Sequence, residues 1–219
     1  MATKLTDVEE PYYGTAAEFI PEDVDLGELA NASKGCKGCH LWRHATQTVF
    51  GEGPVDARVV MVGEQPGDKE DLEGHPFVGP AGKLLDDCLE EAGIPRDEVY
   101  ITNAVKHFKW IPSGPRRLHQ KPNKREVTAC LPWLQAELDD IKPEVIVALG
   151  ATAAQALLGD AFRLTKHRGE FQSSKFGKEI LATLHPSAVL RAPDAAAREE
   201  ARQSLIDDLR LVGKRIVHK

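Results

Sequence analysis

Three short aliphatic runs constrain the fold of this 219-residue chain more than any other feature. Arg58-Val59-Val60-Met61-Val62-Gly63, Val99-Tyr100-Ile101-Thr102-Asn103-Ala104-Val105 and Glu144-Val145-Ile146-Val147-Ala148-Leu149-Gly150 read as strands buried on both faces. Helical spacing separates them. Residues 80–92 carry Leu84, Leu85, Cys88 and Leu89 on one stripe and stop at Gly93-Ile94-Pro95. Residues 123–141 present Val127, Leu131, Leu134 and Leu138, with Pro132 inside predicting a kink or a break. Helices are also expected over 24–33, 151–158 and 195–212. Residues 168–184 suggest a hairpin or edge strand ending in Ile180-Leu181-Ala182-Thr183-Leu184. Alternation of this kind predicts an α/β fold: a three-layer α/β/α sandwich around a central, mainly parallel, four-stranded sheet. Residues 1–22 are polar and broken by Pro11, Gly14 and Pro21. They are expected to form a mobile arm docked through Tyr12 and Tyr13, with residues 23–219 as a single domain.

Ligands of such sheets bind outside the carboxyl ends of the strands, so the segments after each strand matter most. The first strand is followed by Gly63-Glu64-Gln65-Pro66-Gly67-Asp68, a rigid turn whose amides can face a ligand and whose Glu64 projects over the strand ends. A solvated turn is the plainer reading. His75-Pro76-Phe77-Val78-Gly79-Pro80-Ala81-Gly82 holds an aromatic that could stack on a flat ligand or simply fill the core. His185-Pro186-Ser187 places an imidazole past the last strand, where it could donate to developing negative charge or serve only the structure.

Charge is informative because it is uneven. The chain carries −6 overall, which argues against a nucleic-acid binder, yet residues 106–125 hold seven of its 28 Lys and Arg and no acid. That basic segment is a local footprint for an anionic partner. Within it, Arg116-Arg117-Leu118-His119 is expected to be a loop. Its arginines suit phosphates, and they should lower the pKa of His119, leaving a neutral imidazole able to act as nucleophile or base.

Composition is that of a soluble globular protein, at 42% hydrophobic and 28% charged residues. The first residues lack a signal-peptide core and no apolar run reaches membrane-spanning length, so a cytoplasmic protein is expected. Cys36-x-x-Cys39 points to a metal rather than a disulfide. Cys130 is a candidate third ligand and His107 a fourth, whereas Cys88 falls on a helical core face. Three Cys and one His suit zinc, an iron–sulfur cluster more often takes four Cys, and spacing leaves both open beside ordinary buried thiols.

Taken together, Cys36-x-x-Cys39, Gly63-Glu64-Gln65-Pro66-Gly67, Pro76-Phe77-Val78-Gly79-Pro80-Ala81-Gly82, Thr102-Asn103-Ala104-Val105-Lys106, Ala129-Cys130-Leu131-Pro132-Trp133 and His185-Pro186-Ser187 resemble the uracil-DNA glycosylase superfamily, specifically its iron–sulfur family 4. The likeness covers roughly residues 36–210. Gln65 stands where that family carries Ala, His107 where it carries a cluster Cys, and the Arg-Arg-x-His segment where it has none. These departures resemble the UdgX branch, whose members excise uracil and become covalently attached to the DNA. Pro115-Arg116-Arg117-Leu118-His119 replaces the Lys-Arg-Arg-Ile-His of that branch, with one phosphate contact fewer.

The resemblance implies a [4Fe-4S] cluster on Cys36, Cys39, His107 and Cys130. It implies uracil stacked on Phe77, read by Asn103 and by the backbone around Gly63 and Gln65, with Asp68, Glu70 or Asp71 crowding a thymine methyl. It implies His185 as donor to the departing uracil, His119 as nucleophile toward C1′ and Glu64 as its base. DNA contacts would come from Lys106, Arg116, Arg117, Ser187 and Arg191. Partners would be uracil-containing DNA, single-stranded or with the uracil flipped out, and free uracil as product. The protein would be a monomer at the bacterial nucleoid. A conventional family 4 enzyme that turns over and a non-catalytic DNA-binding protein are the alternatives.

Overall fold

Val59-Val60-Met61-Val62-Gly63 is buried along its whole length, which a strand achieves only between neighbours and beneath helices on both faces. The computed structural model describes residues 13–174, 176 and 178–217. In chain order it runs α1 (Leu26–Ser33), β1 (Val59–Gly63), α2 (Asp68–Glu73), α3 (Pro80–Ala92), β2 (Val99–Asn103), β3 (Trp110–Ser113), β4 (Arg116–His119), α4 (Lys124–Ile141), β5 (Val145–Leu149), α5 (Ala151–Leu158), α6 (Leu164–His167), β6 (Phe171–Ser173), β7 (Glu179–Thr183), α7 (Pro186–Leu190) and α8 (Ala195–Val217). The sheet order is β2-β1-β5-β7-β6, with the first four strands parallel and β6 antiparallel on the edge. The sheet thus has five strands rather than the expected four, because both arms of the 168–184 segment pair.

Strand alternation builds two cores. Val60, Val62, Tyr100, Ile146, Ala148, Ile180 and Ala182 face one side, with Leu134, Leu138 and Ala153 of α4 and α5. Val59, Met61, Ile101, Val147 and Leu181 face the other, with Leu85 and Leu89 of α3 and Leu205 and Leu209 of α8. Cys88 lies in this second core, as its helical position predicts. After β2 the chain crosses to the far side of β1 to form β5, so the switch point falls between β1 and β5.

Helix α4 passes through Pro132 without a break. Its start is fixed by a capping box: the Asn123 side chain accepts from the Glu126 amide, and the Glu126 carboxylate accepts from the Asn123 amide. Residues 13–22 lie against the body. Tyr13 bridges Cys39, Ala16 is buried, and the turn Ala16–Phe19 packs on α4. The proposed arm residues 1–12, Tyr12 included, fall outside the described residues.

The segment expected as a basic loop is instead an antiparallel ribbon, β3–β4, with Trp110 opposite His119 and Ile111 opposite Leu118. At its root stands a fully buried ion pair. Lys106 Nζ donates to Glu137 Oε2 (2.5 Å), Thr102 Oγ1 (2.6 Å) and the Asn103 carbonyl (3.0 Å). Glu137 Oε1 also accepts from Tyr100 Oη (3.0 Å) and the Gly51 amide (3.1 Å). Removing one partner strands a buried charge. Lys106→Met is therefore expected to cost about 3–5 kcal/mol, read from the shift of the denaturant midpoint.

Candidate active site

A cleft of about 920 Å³ opens over the carboxyl ends of the strands, with Glu64, Phe77, Asn103, His119, His185 and Arg191 in its wall. Its floor explains two glycines. A Cβ on Gly63 would sit 2.3 Å from Asn103 Oδ1 and 2.8 Å from Phe77 Cζ. One on Gly82 would lie 1.5 Å from the Phe77 carbonyl. Phe77 itself takes a left-handed backbone (φ +56°), a strained conformation for an aromatic residue that clusters at functional sites. Asn103 is 2% exposed, and its Oδ1 has no hydrogen-bond partner among the described residues. A buried acceptor without a donor is costly, and one at the floor of a cleft is placed to accept from a ligand N–H or a water.

His185 caps α7. Its Nδ1 accepts from the Ser187 amide (3.1 Å), so the ring proton resides on Nε2. Burial, then the charges of Arg191 and His119, push its pKa down to about 4. The ring is neutral and lies 5.8 Å from the Phe77 ring at an interplanar angle of 26°.

His119 enters from β4. Its Nε2 lies 3.6 Å from Glu64 Oε1, and Glu64 Oε2 accepts from Thr152 Oγ1 at the start of α5. The His119 pKa is lowered as expected, but by a different cause. Desolvation leads, Glu64 opposes it, and the cation that contributes is Arg191 rather than Arg116 or Arg117. Gln65 holds the ribbon in place: its Nε2 donates to the Lys109 and Gln120 carbonyls (3.2 and 3.1 Å), and its Oε1 accepts from the Lys109 amide (3.2 Å).

Several expected contacts are placed elsewhere. Lys106 is 1% exposed on Glu137 and cannot reach a phosphate in this fold. Arg117 turns inward, donating to Asp68 Oδ1 (2.5 Å) and Asp71 Oδ2 (2.6 Å) and lying over Phe108 and Trp110. Asp71 is buried on Thr46 and Arg117, outside the cleft, whereas Asp68 and Glu70 line it. Arg116 is exposed, and Ser187 and Arg191 lie in the cleft wall. Sequence reasoning missed Thr152. It follows the third strand at Gly150, so the strand-end rule would have found it.

The thiols of Cys36, Cys39 and Cys130 are buried beside one another. Burial raises Cys39 to about 11 and Cys130 to about 12, and the neighbouring thiols push in the same direction. The Lys106 amide donates to Cys130 Sγ (3.2 Å), one residue before His107. His107 is buried and held neutral, its pKa lowered by desolvation to about 4. Among the described residues no group of three or more His, Cys, Asp or Glu side chains is arranged to hold a metal ion. Ligation requires the thiolate, so these thiols would ionise only against the positive charge of a metal centre, and the amide aimed at sulfur and the neutral imidazole are compatible with ligands of such a centre.

The His185 assignment is open to direct measurement. Nitrogen-detected NMR should show the Nε2–H tautomer retained from neutral pH down to about 4. A normal imidazole titration near 6.5 would contradict it.

Comparison with known proteins agrees with this geometry. Residues 50–210 match the model of the uracil DNA glycosylase superfamily. The type-4 uracil-DNA glycosylase of Thermotoga maritima is 42% identical over 177 residues, 80% of this chain and 86% of that protein. The type-4 enzyme of Sulfurisphaera tokodaii is 40% identical over 188 residues, 82% of each chain. The type-5 uracil-DNA glycosylase of Pyrobaculum aerophilum is 31% identical over 164 residues, 67% of this chain and 68% of its own. A parallel sheet with its cleft at the switch point, the strained Phe77 over Gly63 and this likeness along most of the chain lead to one assignment: the chain belongs to the uracil-DNA glycosylase superfamily.

Proposed function

We propose that this chain excises uracil from DNA and then captures the abasic sugar with His119. The observation that carries the reading is the His119–Glu64 pair, 3.6 Å apart, in the same cleft as Asn103, Phe77 and His185. The target base must leave the helix or come from single-stranded DNA. Phe77 stacks on it, and Asn103 Oδ1 accepts from its N–H. The C1′–N1 bond breaks with its electron pair leaving on uracil, and the Nε2–H of His185 donates to that anion. A ring-nitrogen lone pair of His119 then forms the bond to C1′, while the imidazole proton passes to Glu64. Thr152 holds the second oxygen of Glu64, which keeps the carboxylate turned toward the ring.

Cys36, Cys39, His107 and Cys130 would hold a [4Fe-4S] cluster. When bound, it supplies a structural cross-link between the segment at Tyr13, the ribbon root and α4. Cys130→Ser should reduce iron and sulfide content and the visible absorbance of anaerobically purified protein. A colourless wild type containing zinc and no iron would remove the cluster from this reading.

A second reading has support of its own, because the relatives at 40–42% identity are type-4 enzymes. In that reading Glu64 and Thr152 orient a water, and the enzyme turns over. One assay separates the two: labelled uracil-containing single strand on a denaturing gel, with free uracil measured in parallel. Trapping gives a heat- and detergent-stable band with about one equivalent of uracil released. His119→Gly abolishes the band and keeps part of the release. Release beyond one equivalent without a band establishes turnover. His185→Ala should slow excision itself.

The pH dependence has a definite sign. A lowered His119 pKa leaves the ring neutral below its ordinary value of 6.5, so band formation persists through that pH and declines further into acid. An acid limb at or above 6.5 would falsify the neutral nucleophile.

A further inference from the structure

The ribbon β3–β4 has two faces, and only one belongs to the cleft. Strand alternation turns Trp110, Pro112, Arg117 and His119 toward the body, where Trp110 Nε1 donates to the His44 carbonyl (2.9 Å) and Arg117 meets Asp68 and Asp71. The other face carries Ile111, Ser113, Arg116 and Leu118. Ile111 and Leu118 are register partners, so their side chains stand together, and they remain 48% and 52% exposed. A paired aliphatic ridge on a narrow ribbon is a contact surface awaiting cover.

Charge identifies the cover. Arg116 shares this face and has no ion-pair partner among the described residues, unlike the inward Arg117. The surrounding segment 106–125 contains no acid. A partner with flat apolar faces and regularly placed anions fits this combination, and a nucleic-acid strand has both. The ribbon's position specifies the strand further. His119 on the inner face meets the extruded sugar in the proposed reaction. Leu118, one residue earlier, stands on the opposite face of the ribbon, within one residue of the group that meets the sugar.

We propose that the outward face of β3–β4 is a wedge for duplex DNA: Ile111 and Leu118 pack against the opened base step, and Arg116 holds the phosphate beside it. This rests on the glycosylase reading above. Aliphatic wedges of this kind offset the loss of stacking when a step is opened. Single-stranded DNA needs no such compensation, so the wedge acts on duplex substrates.

The test compares uracil release under single-turnover conditions from a uracil-containing single strand and from U·G and U·A duplexes. Wild type, Ile111→Ser, the double variant Ile111→Ser/Leu118→Ser and the control Val55→Ser are used. Val55 is exposed in the turn before β1, at the opposite end of the sheet. Ile111→Ser is expected to slow duplex release roughly tenfold while single-strand release stays at the wild-type rate, which also certifies the fold. The double variant is expected to slow duplex release further, and Val55→Ser to change neither. With 2-aminopurine beside the uracil, wild type should raise duplex fluorescence on binding and the double variant should not. Equal slowing on both substrates, or none on either, overturns the wedge. A dimeric wild type that the double variant makes monomeric overturns it too, by making a second copy the occupant. If wild type releases no uracil from any substrate, the glycosylase reading itself fails and the wedge falls with it.

Discussion

The site hangs on one buried carboxylate. Glu137 of α4 gathers Lys106, Tyr100, Thr102 and the Gly51 amide around its two oxygens, with no water-exposed edge. Every partner belongs to β2, follows it or borders it. Through Lys106 the pair fixes the Asn103 carbonyl on one side. On the other side the Lys106 amide reaches Cys130. An ion pair removed from water contributes little net stability, but it tolerates only one arrangement of its neighbours. Here that arrangement sets the depth of Asn103 and the position of the thiol pocket together.

The sheet was legible because its strands are continuous aliphatic runs, which only interior parallel strands require. The cleft was legible for a related reason: its residues follow those strands directly, as Glu64, Asn103 and His185 do. The ribbon β3–β4 was not. Its inward face carries Arg117, Pro112 and His119, which read as solvent-facing loop residues. They tolerate that face because Asp68 and Asp71, more than 45 residues earlier in the chain, neutralise Arg117, and Phe108 and Trp110 cover it. Lys106 misled for the same reason. Its partner lies 31 residues away on a helix, and no local pattern announces a lysine that folds inward.

His185 and His119 are two imidazoles held in different ways within one cleft. Both are held neutral by desolvation, and both feel Arg191. Their orientation differs. A helix amide determines the tautomer of His185 and leaves a single donor toward the cleft. His119 meets a carboxylate that can take its proton, and half of its side chain is open to solvent. The first arrangement suits a fixed dipole, and the second suits a group whose bonding changes.

The side chain of Gln65 has a consequence for how this architecture can vary. The cleft floor is built from β1, β2 and the turn at Phe77. The histidine facing it rides on an appendage, two four-residue strands held to the rim by the Gln65 carboxamide, the Arg117 ion pairs and the Trp110 indole. The cleft floor and the ribbon that carries His119 are therefore separable parts. A chain of this architecture can acquire, lose or retune the second by editing a short ribbon and its contacts, while the cleft floor stays intact.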